Sequence, residues 1–292
     1  MTTVNEAFET FRQRLELSET EAKNASKRHT EVRDGIRAKF EVDRDFLTGS
    51  YGRHTKTKPL KDVDIFFALG EKEKKWRDKP PHEVLDAFRD CLVEKYGKDA
   101  VDPGRRCATV EFEKNTKDEE GKVLSVDAVP AFEVKDCYEI PDRDLGKWIK
   151  TDPEVHAEKA TAKNKELGGK WVPLVKMLKR WNRSADKPIK PSFLIEVMAL
   201  DLVDAPFTTY AREVQRFFAA VPAVLSGPWP DPAGLGPHVS DQMTPDLVQK
   251  AISALRAAEK KASLAMRLES QGKTGEALTL WCEIMGRYFP AS

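Results

Sequence analysis

Two aspartates, Asp62 and Asp64, stand one residue apart at the start of an apolar run that continues to Leu69. Successive side chains of a β-strand point to opposite faces, so a strand would place both carboxylates on one face and Val63 and Ile65 on the other. Adjacent carboxylates repel each other unless a cation lies between them, and Mg²⁺ prefers oxygen ligands. The pair therefore predicts a metal site, although Asp-x-Asp also occurs on strand edges that only face water.

A third acid, Asp127, lies in a later apolar run between Val126 and Ala128. A carboxylate in such surroundings is costly unless it has a partner. Three acids on two strands are consistent with a two-metal centre, in which paired cations activate a hydroxyl and stabilise a leaving pyrophosphate. A Gly49-Ser50 turn precedes the first pair, and such a turn can approach and bind a phosphate. Together these residues predict phosphoryl transfer.

The hydrophobic pattern predicts the elements that would position these residues. Two amphipathic helices lead the chain, the second behind a capping box at residues 18–21. A helix that ends at Gly97 follows the acidic strand, and residues 108–113 and 122–129 have the pattern of a strand hairpin. After Pro141 the strand signal fades. Further helices are predicted at residues 171–181, 192–202, 210–218 and 244–271.

Length and composition define the class of protein. The chain has 292 residues, 40% of them hydrophobic and 33% charged, with a net charge of +1. This predicts a folded protein of one or two domains, with no strong attraction of the whole molecule to duplex nucleic acid. The four cysteines lack CxxC spacing and are expected as reduced thiols, and the five histidines are expected at the surface. No membrane span or signal peptide is evident, so the expected location is the cytoplasm.

Several motifs together resemble those of a known family. Residues 48–55 (TGSYGRHT) and 61–66 (KDVDIF) resemble the GS and DxD motifs of the polymerase-β-like nucleotidyltransferases. Later segments resemble landmarks of the bacterial CD-NTases, which are relatives of cyclic GMP-AMP synthase and oligoadenylate synthase. These segments begin at Ser125, Ile140, Gly146, Leu174 and Lys190.

The resemblance implies an α+β fold of two lobes around a central cleft. Residues 1–150 would form a polymerase-β-like nucleotidyltransferase core with a mixed sheet and N-terminal helices, and residues 151–292 a helical C-terminal domain. The implied enzyme joins nucleoside triphosphates, ATP among them, into a cyclic oligonucleotide second messenger with release of pyrophosphate. It would act in anti-phage signalling of the CBASS type, through a separate effector, with regulatory or tail-conjugating proteins as further partners.

The resemblance also implies the metal ligands. Asp62 and Asp64 would bind two Mg²⁺ ions, with Mn²⁺ as an alternative. Asp127 would bind the ion that activates the acceptor 3′-hydroxyl. All three would be catalytic.

Five further residues would bind the donor nucleotide in this resemblance. Gly49 would let the chain approach its triphosphate, Ser50, Lys176 and Ser192 would contact the triphosphate, and the ring of Phe193 would stack on its base. Other interpretations stay open: a local turn role for Ser50, a solvated helix position for Lys176, and a place in the core for Phe193.

Two rival functions also stay open. One is a linear oligoadenylate synthase, or an enzyme that transfers a nucleotide to tRNA, a protein or an antibiotic. The other is a catalytically silent nucleotide-binding module, against which the three intact acids argue. Long duplex DNA is not expected to be required, because the sequence has no zinc module and its net charge is only +1. The bases used, the ring size and the linkage do not follow from the sequence.

Overall fold

A computed structural model describes residues 2–58, 60–112 and 124–290 of the chain. The polar loop predicted between the two hairpin strands lies outside the described residues. None of the helices in the described part of the chain combines the length and the apolar composition that crossing a lipid bilayer requires.

The chain folds into two compact units. The core unit comprises Leu17–Ala157 and Ala233–Gly236, and the helical unit comprises Met1–Glu16, Glu158–Pro232 and Pro237–Ser292. This division differs from the predicted one because the first helix belongs with the helical unit. The ring of Phe8 packs edge-on against Trp281 and Phe289, with centroids 4.9 and 5.1 Å away. An amphipathic pattern shows that a helix has an apolar face, but not which neighbours cover it.

The core unit contains a mixed sheet. Its strands are β1 (Val42–Thr48), β2 (Asp62–Leu69), β3 (Val101–Pro103), β4 (Ala108–Glu111), β5 (Ser125–Val134), β6 (Cys137–Asp142) and β7 (Lys147–Thr151). The order is β1-β2-β5-β4-β3, with β6 paired to β5 and β7 to β6. β2 and β5 run parallel, whereas the other pairs are antiparallel. The predicted mixed sheet and the predicted pairing of the hairpin strands, β4 with β5, are both confirmed.

The prediction that strands end near Pro141 is wrong. β6 continues to Asp142 and pairs with β7, a further strand. Tyr138, Ile140 and Ile149 from this pair are buried in a small core with Phe66 of β2. The sequence of β7, KWIKT, is short and polar, so its strand conformation depends on pairing and burial more than on local preference.

Helices pack against the sheet in the core unit and form the core of the helical unit. They are α1 (Val4–Arg14), α2 (Glu19–Arg37), α3 (Gly49–Gly52), α4 (Pro81–Tyr96), α5 (Pro153–Glu166), α6 (Trp171–Ser184), α7 (Phe193–Leu202), α8 (Tyr210–Val224), α9 (Pro245–Ser270) and α10 (Thr274–Met285). The predicted capping box is present, because Ser18 and Glu21 exchange hydrogen bonds at the start of α2. Helices α5 and α10 were not predicted, and α5 has a weakly apolar, lysine-rich sequence that resembles a solvated segment.

One face of the sheet is covered by α2 and α4. Val63, Ile65, Val126 and Ala128 are buried there, in one core with apolar side chains of both helices. The alternate residues of β2 and β5 point to the opposite face. The sheet therefore separates the core from the face that bears the acids.

The expectation that the histidines lie at the surface is wrong for His29 and His156, which are both buried. His29 lies on the inner face of α2, at helical spacing from Ala25, Val32 and Ile36. This spacing is visible in the sequence and places the imidazole in the apolar stripe of the helix.

Candidate active site

Strand pairing brings the three predicted acids onto one face of the sheet. The register places Thr48, Asp64, Asp127 and Thr109 side by side on β1, β2, β5 and β4. Residues that stand opposite one another in register point to the same face. Asp62 lies two residues before Asp64 and therefore shares that face. Two acids that are distant in sequence, Asp64 and Asp127, thus become direct cross-strand neighbours.

The carboxyl of Asp127 is held against β4. The hydroxyl Oγ1 of Thr109 donates to Oδ1 of Asp127 over 2.7 Å. Burial raises the pKa of Asp127 to about 6, and the charge of Asp62 acts in the same direction, whereas hydrogen bonds from Thr109 and Cys107 oppose the rise. Loss of water and a nearby like charge both disfavour the ionised form. A cation at these carboxylates would offset both effects.

The Gly49-Ser50 turn lies directly against Asp64. Gly49 opens α3 with a φ of +58°, and a Cβ built on it would stand 1.8 Å from Oδ2 of Asp64. An L side chain therefore fails at this position both for its backbone conformation and for its contact. The carbonyl of Ser50 accepts a hydrogen bond from the N–H of Lys56 over 2.9 Å. The glycine predicted to admit a phosphate thus also makes room for a predicted metal ligand.

Residues that the sequence analysis missed hold this turn. The Nζ of Lys56 lies 4.4 Å from the ring centroid of Tyr51, the residue that follows Ser50. The imidazole of His29 approaches the same ring edge-on at 6.3 Å. The turn is therefore packed between α2 and the segment that follows it. His29 is far away in sequence, so only the inward face of α2 could have suggested this contact.

The carboxylates of Asp62, Asp64 and Asp127 are suitable ligands for a hard divalent cation, but their side chains are not arranged as a metal site. In the described ranges 2–58, 60–112 and 124–290, no group of three or more His, Cys, Asp or Glu is arranged so that it could hold a metal ion. Carboxylate oxygens are the ligands that Mg²⁺ prefers. Asp62 is exposed, so its side chain can turn toward an ion without disturbing the core. The residue types and shared face fit the ion, and binding requires side-chain movement.

The predicted phosphate ligand Lys176 lies on α6 of the helical unit and is already paired. Its Nζ stands 2.7 and 2.8 Å from the two carboxylate oxygens of Glu16. The side chain of Lys176 is only 6% exposed. The interpretation of Lys176 as an ordinary solvated lysine is therefore wrong, because a buried ammonium group needs a partner.

The other two predicted nucleotide ligands also belong to the helical unit. Ser192 is exposed and is the N-cap residue of α7, although its side chain does not cap the helix. Phe193 is partly buried and packs against the core of the helical unit. Its position thus combines a core contact with partial accessibility. Nearby, Lys179 and Glu196 form a buried ion pair of 2.5 Å.

A mixed sheet that carries acids on its parallel strands, beside a glycine-serine turn, defines the class of metal-dependent nucleotidyltransferases. Residues 1–164 match the Second Messenger Oligonucleotide or Dinucleotide Synthetase domain, and the chain belongs to that family. The predicted assignment to the bacterial CD-NTases is confirmed, as is the predicted enzyme class: a nucleotidyltransferase that makes cyclic oligonucleotides in CBASS-type systems. Enzymes of this family need a divalent metal ion.

Individual relatives extend the likeness beyond the matched domain. The chain is 27% identical over 302 residues to the cyclic AMP-AMP-AMP synthase of an Acinetobacter species, covering 95% of this chain and 83% of that one. It superimposes on the E. coli CdnC structure with ATP at a TM-score of 0.74, with 18% identity and coverage of 98% and 99%. The Bradyrhizobium diazoefficiens CdnG structure with GTP gives 0.73, 15% identity and coverage of 97% and 96%. The two structures show the fold, and the predicted α+β architecture is confirmed.

Proposed function

We propose that this chain condenses ATP into a cyclic oligoadenylate with release of pyrophosphate, using two Mg²⁺ ions held by Asp62, Asp64 and Asp127. The observation that carries the proposal is the register of β2 and β5, which makes Asp64 and Asp127 cross-strand neighbours. The choice of ATP is supported by the Acinetobacter relative, which is named a cyclic AMP-AMP-AMP synthase, and by the similar CdnC structure with ATP.

The acids have different tasks in this proposal. When bound, the two ions would activate the acceptor 3′-hydroxyl and offset the charge of the leaving pyrophosphate. Asp62 and Asp64 would bind both ions, and Asp127 would bind on the acceptor side. Asp127 is suited to that side because burial and a like charge raise its pKa, which makes its carboxylate more basic than that of an ordinary aspartate. Thr109 holds one of its oxygens and limits its rotation.

Five residues would bind the donor nucleotide in this proposal. Gly49 and Ser50 would meet the triphosphate, beside the carboxylate of Asp64. Lys176 and Ser192 would contribute further phosphate contacts, and Phe193 would stack on the base. These roles come from the resemblance to the family. For Lys176 the role requires that a phosphate replace or share Glu16 as its partner.

The test is incubation of the full chain with labelled ATP, GTP, CTP or UTP, with Mg²⁺ or Mn²⁺ and without DNA. The expected product resists phosphatase, has the mass of a cyclic oligoadenylate and forms with either ion, but not without a divalent ion. The variant carrying Asp62→Asn and Asp64→Asn is the negative control. Linear products alone, or label on a tRNA, protein or antibiotic, would contradict cyclisation, and the absence of turnover under all conditions would favour a silent binding module.

We also propose that the product acts on a separate effector in the cytoplasm and that a regulatory protein controls synthesis. One similar structure is a complex of E. coli CdnC with a HORMA protein, at a TM-score of 0.72 and 18% identity. Conjugation of the C-terminal segment receives less support. Phe289 is buried, and its ring centroid lies 5.1 and 5.4 Å from those of Phe8 and Phe11, which favours a docked segment up to that residue.

A further inference from the structure

β4 supplies a neighbour to Asp127 on the side away from β2. The antiparallel register pairs Thr109 with Asp127, and the two side chains are joined by the 2.7 Å hydrogen bond. Cys107 lies two residues before Thr109, at the bend that precedes β4, and its Sγ stands 3.5 Å from Oγ1 of Thr109. Thiol, hydroxyl and carboxyl therefore form a continuous row of contacts.

The direction of these hydrogen bonds follows from the chemistry of the groups. An ionised carboxylate can only accept hydrogen bonds, so the hydroxyl of Thr109 is the donor in its hydrogen bond to Asp127. Cys107 lies beside both groups, because its thiol contacts Oγ1 of Thr109 and also makes a hydrogen bond to Asp127. Thr109 and Cys107 are thus two uncharged hydrogen-bond partners of the Asp127 carboxyl.

Strand pairing alone does not orient the carboxylate of Asp127. The backbone of β5 determines where the Cβ lies, but the terminal torsion of an aspartate is broad and has no sharp staggered minima. The neighbours Val126 and Ala128 point to the opposite face and are buried there. The hydrogen bond from Thr109 to one carboxylate oxygen therefore restricts the plane of the group.

We propose that Thr109 is a positioning residue for nucleotidyl transfer, whose hydroxyl holds the Asp127 carboxylate in the plane required on the acceptor side. The proposal rests on the proposed function of Asp127. Thr109 acts through Asp127 and does not itself touch the substrate. A valine at this position keeps the branched shape and the preference for a strand, and removes only the hydrogen bond.

The test compares Thr109→Val, Thr109→Ala and Thr109→Ser in the full chain, with ATP and Mg²⁺. Hydrogen bonds to charged groups make large contributions, so the valine and alanine variants should lose about 10- to 100-fold in kcat. The KM for ATP should stay within about twofold, as expected when ground-state binding is intact. Serine retains the hydroxyl and should restore most of kcat. Thr279→Val is the matched control, because it removes a threonine hydroxyl that bonds to the Gly275 carbonyl within α10.

A second measurement does not depend on activity. In crystal structures without nucleotide, the wild-type chain should show one orientation of the Asp127 carboxylate, and Thr109→Val should show several or a different one. An unchanged kcat in Thr109→Val, an equal loss in Thr109→Ser, or an unchanged carboxylate would overturn the proposal. If the wild-type chain makes no nucleotide product, the proposed function fails, and the crystal structures still decide whether Thr109 orients Asp127.

Discussion

Charged groups are enclosed in both units, but their partners differ. In the core unit, Asp127 neighbours Asp64 on the adjacent strand and is further destabilised by the charge of Asp62. The hydrogen bonds that it receives come from the uncharged groups of Thr109 and Cys107. Here like charges stand together without a positive side chain among the contacts described for Asp127.

The helical unit has the opposite arrangement. On α6, Lys176 contacts both carboxylate oxygens of Glu16, and Lys179 contacts Glu196. Each buried cation has an anion within hydrogen-bond distance. Like charges that stand close together raise the free energy of a site, and a bound cation would lower it. The acids of the core unit are thus suited to a cation in the proposed function, whereas the lysines of α6 already have anionic partners.

The largest effect is expected when Asp62 and Asp64 lose their charge. Asp62→Asn combined with Asp64→Asn should reduce synthesis below detection, because two metal ligands are lost. The thermal midpoint should stay unchanged or rise, since the repulsion is gone. Product analysis and thermal denaturation measure the two effects, with Asp136→Asn, at an exposed turn, as the control. Retained turnover would overturn the metal assignment, and a strong loss of stability would contradict the comparison.

Removing the anion of a buried ion pair should instead lower the stability of the protein. Glu196→Gln leaves Lys179 buried without its anion and should lower the free energy of unfolding by about 3 kcal/mol. Chemical denaturation measures this change. The matched control is Glu283→Gln, which breaks an ion pair of 2.7 Å with Lys261 that is half-exposed, and it should change stability little. Equal effects from both variants would show that burial of the pair does not matter.

The variant Gly49→Ala tests whether the Gly49-Ser50 turn and the neighbouring carboxylate of Asp64 depend on each other. Gly49→Ala should reduce kcat by about a hundredfold, because displacement of a catalytic group by an ångström has effects of that size. Gly146→Ala is a close control, since Gly146 has a φ of +61° and nothing within 4 Å of its built Cβ. Both substitutions impose the backbone strain, and only the first displaces Asp64. Similar kinetics in the two variants would show that Asp64 tolerates the clash.

The smallest effect concerns the partner of Lys176. Glu16→Gln should lower the KM for ATP by about threefold without changing kcat, because loss of the Glu16 carboxylate, which is half-exposed, frees the ammonium group of Lys176 for a phosphate. Lys176→Met should raise the same KM. Glu9→Gln, which breaks an exposed pair with Arg12 on α1, is the control in steady-state kinetics. If neither Glu16→Gln nor Lys176→Met changes KM, then Lys176 is a structural residue.

Much of the local structure could be predicted because its causes are local. The capping box before α2, the glycine after α4 and the alternation of β2 all depend on residues within one turn or one strand. The helical unit could also be predicted in outline from its four longest apolar patterns. α5 and β7 could not, because their own sequences are polar and their conformations depend on partners elsewhere in the chain.

The sequence by itself determined which groups carry the chemistry. The spacing of Asp62 and Asp64 places them on one face through the two-residue period of a strand, and Asp127 stands out among its apolar neighbours. Only the tertiary structure decided that β2 pairs with β5 in the register that joins Asp64 to Asp127. It also decided that Thr109 donates a hydrogen bond to Asp127 and that Lys176 forms an ion pair with Glu16. Such contacts join distant residues through the packing of a whole unit, and no local pattern in the chain specifies them.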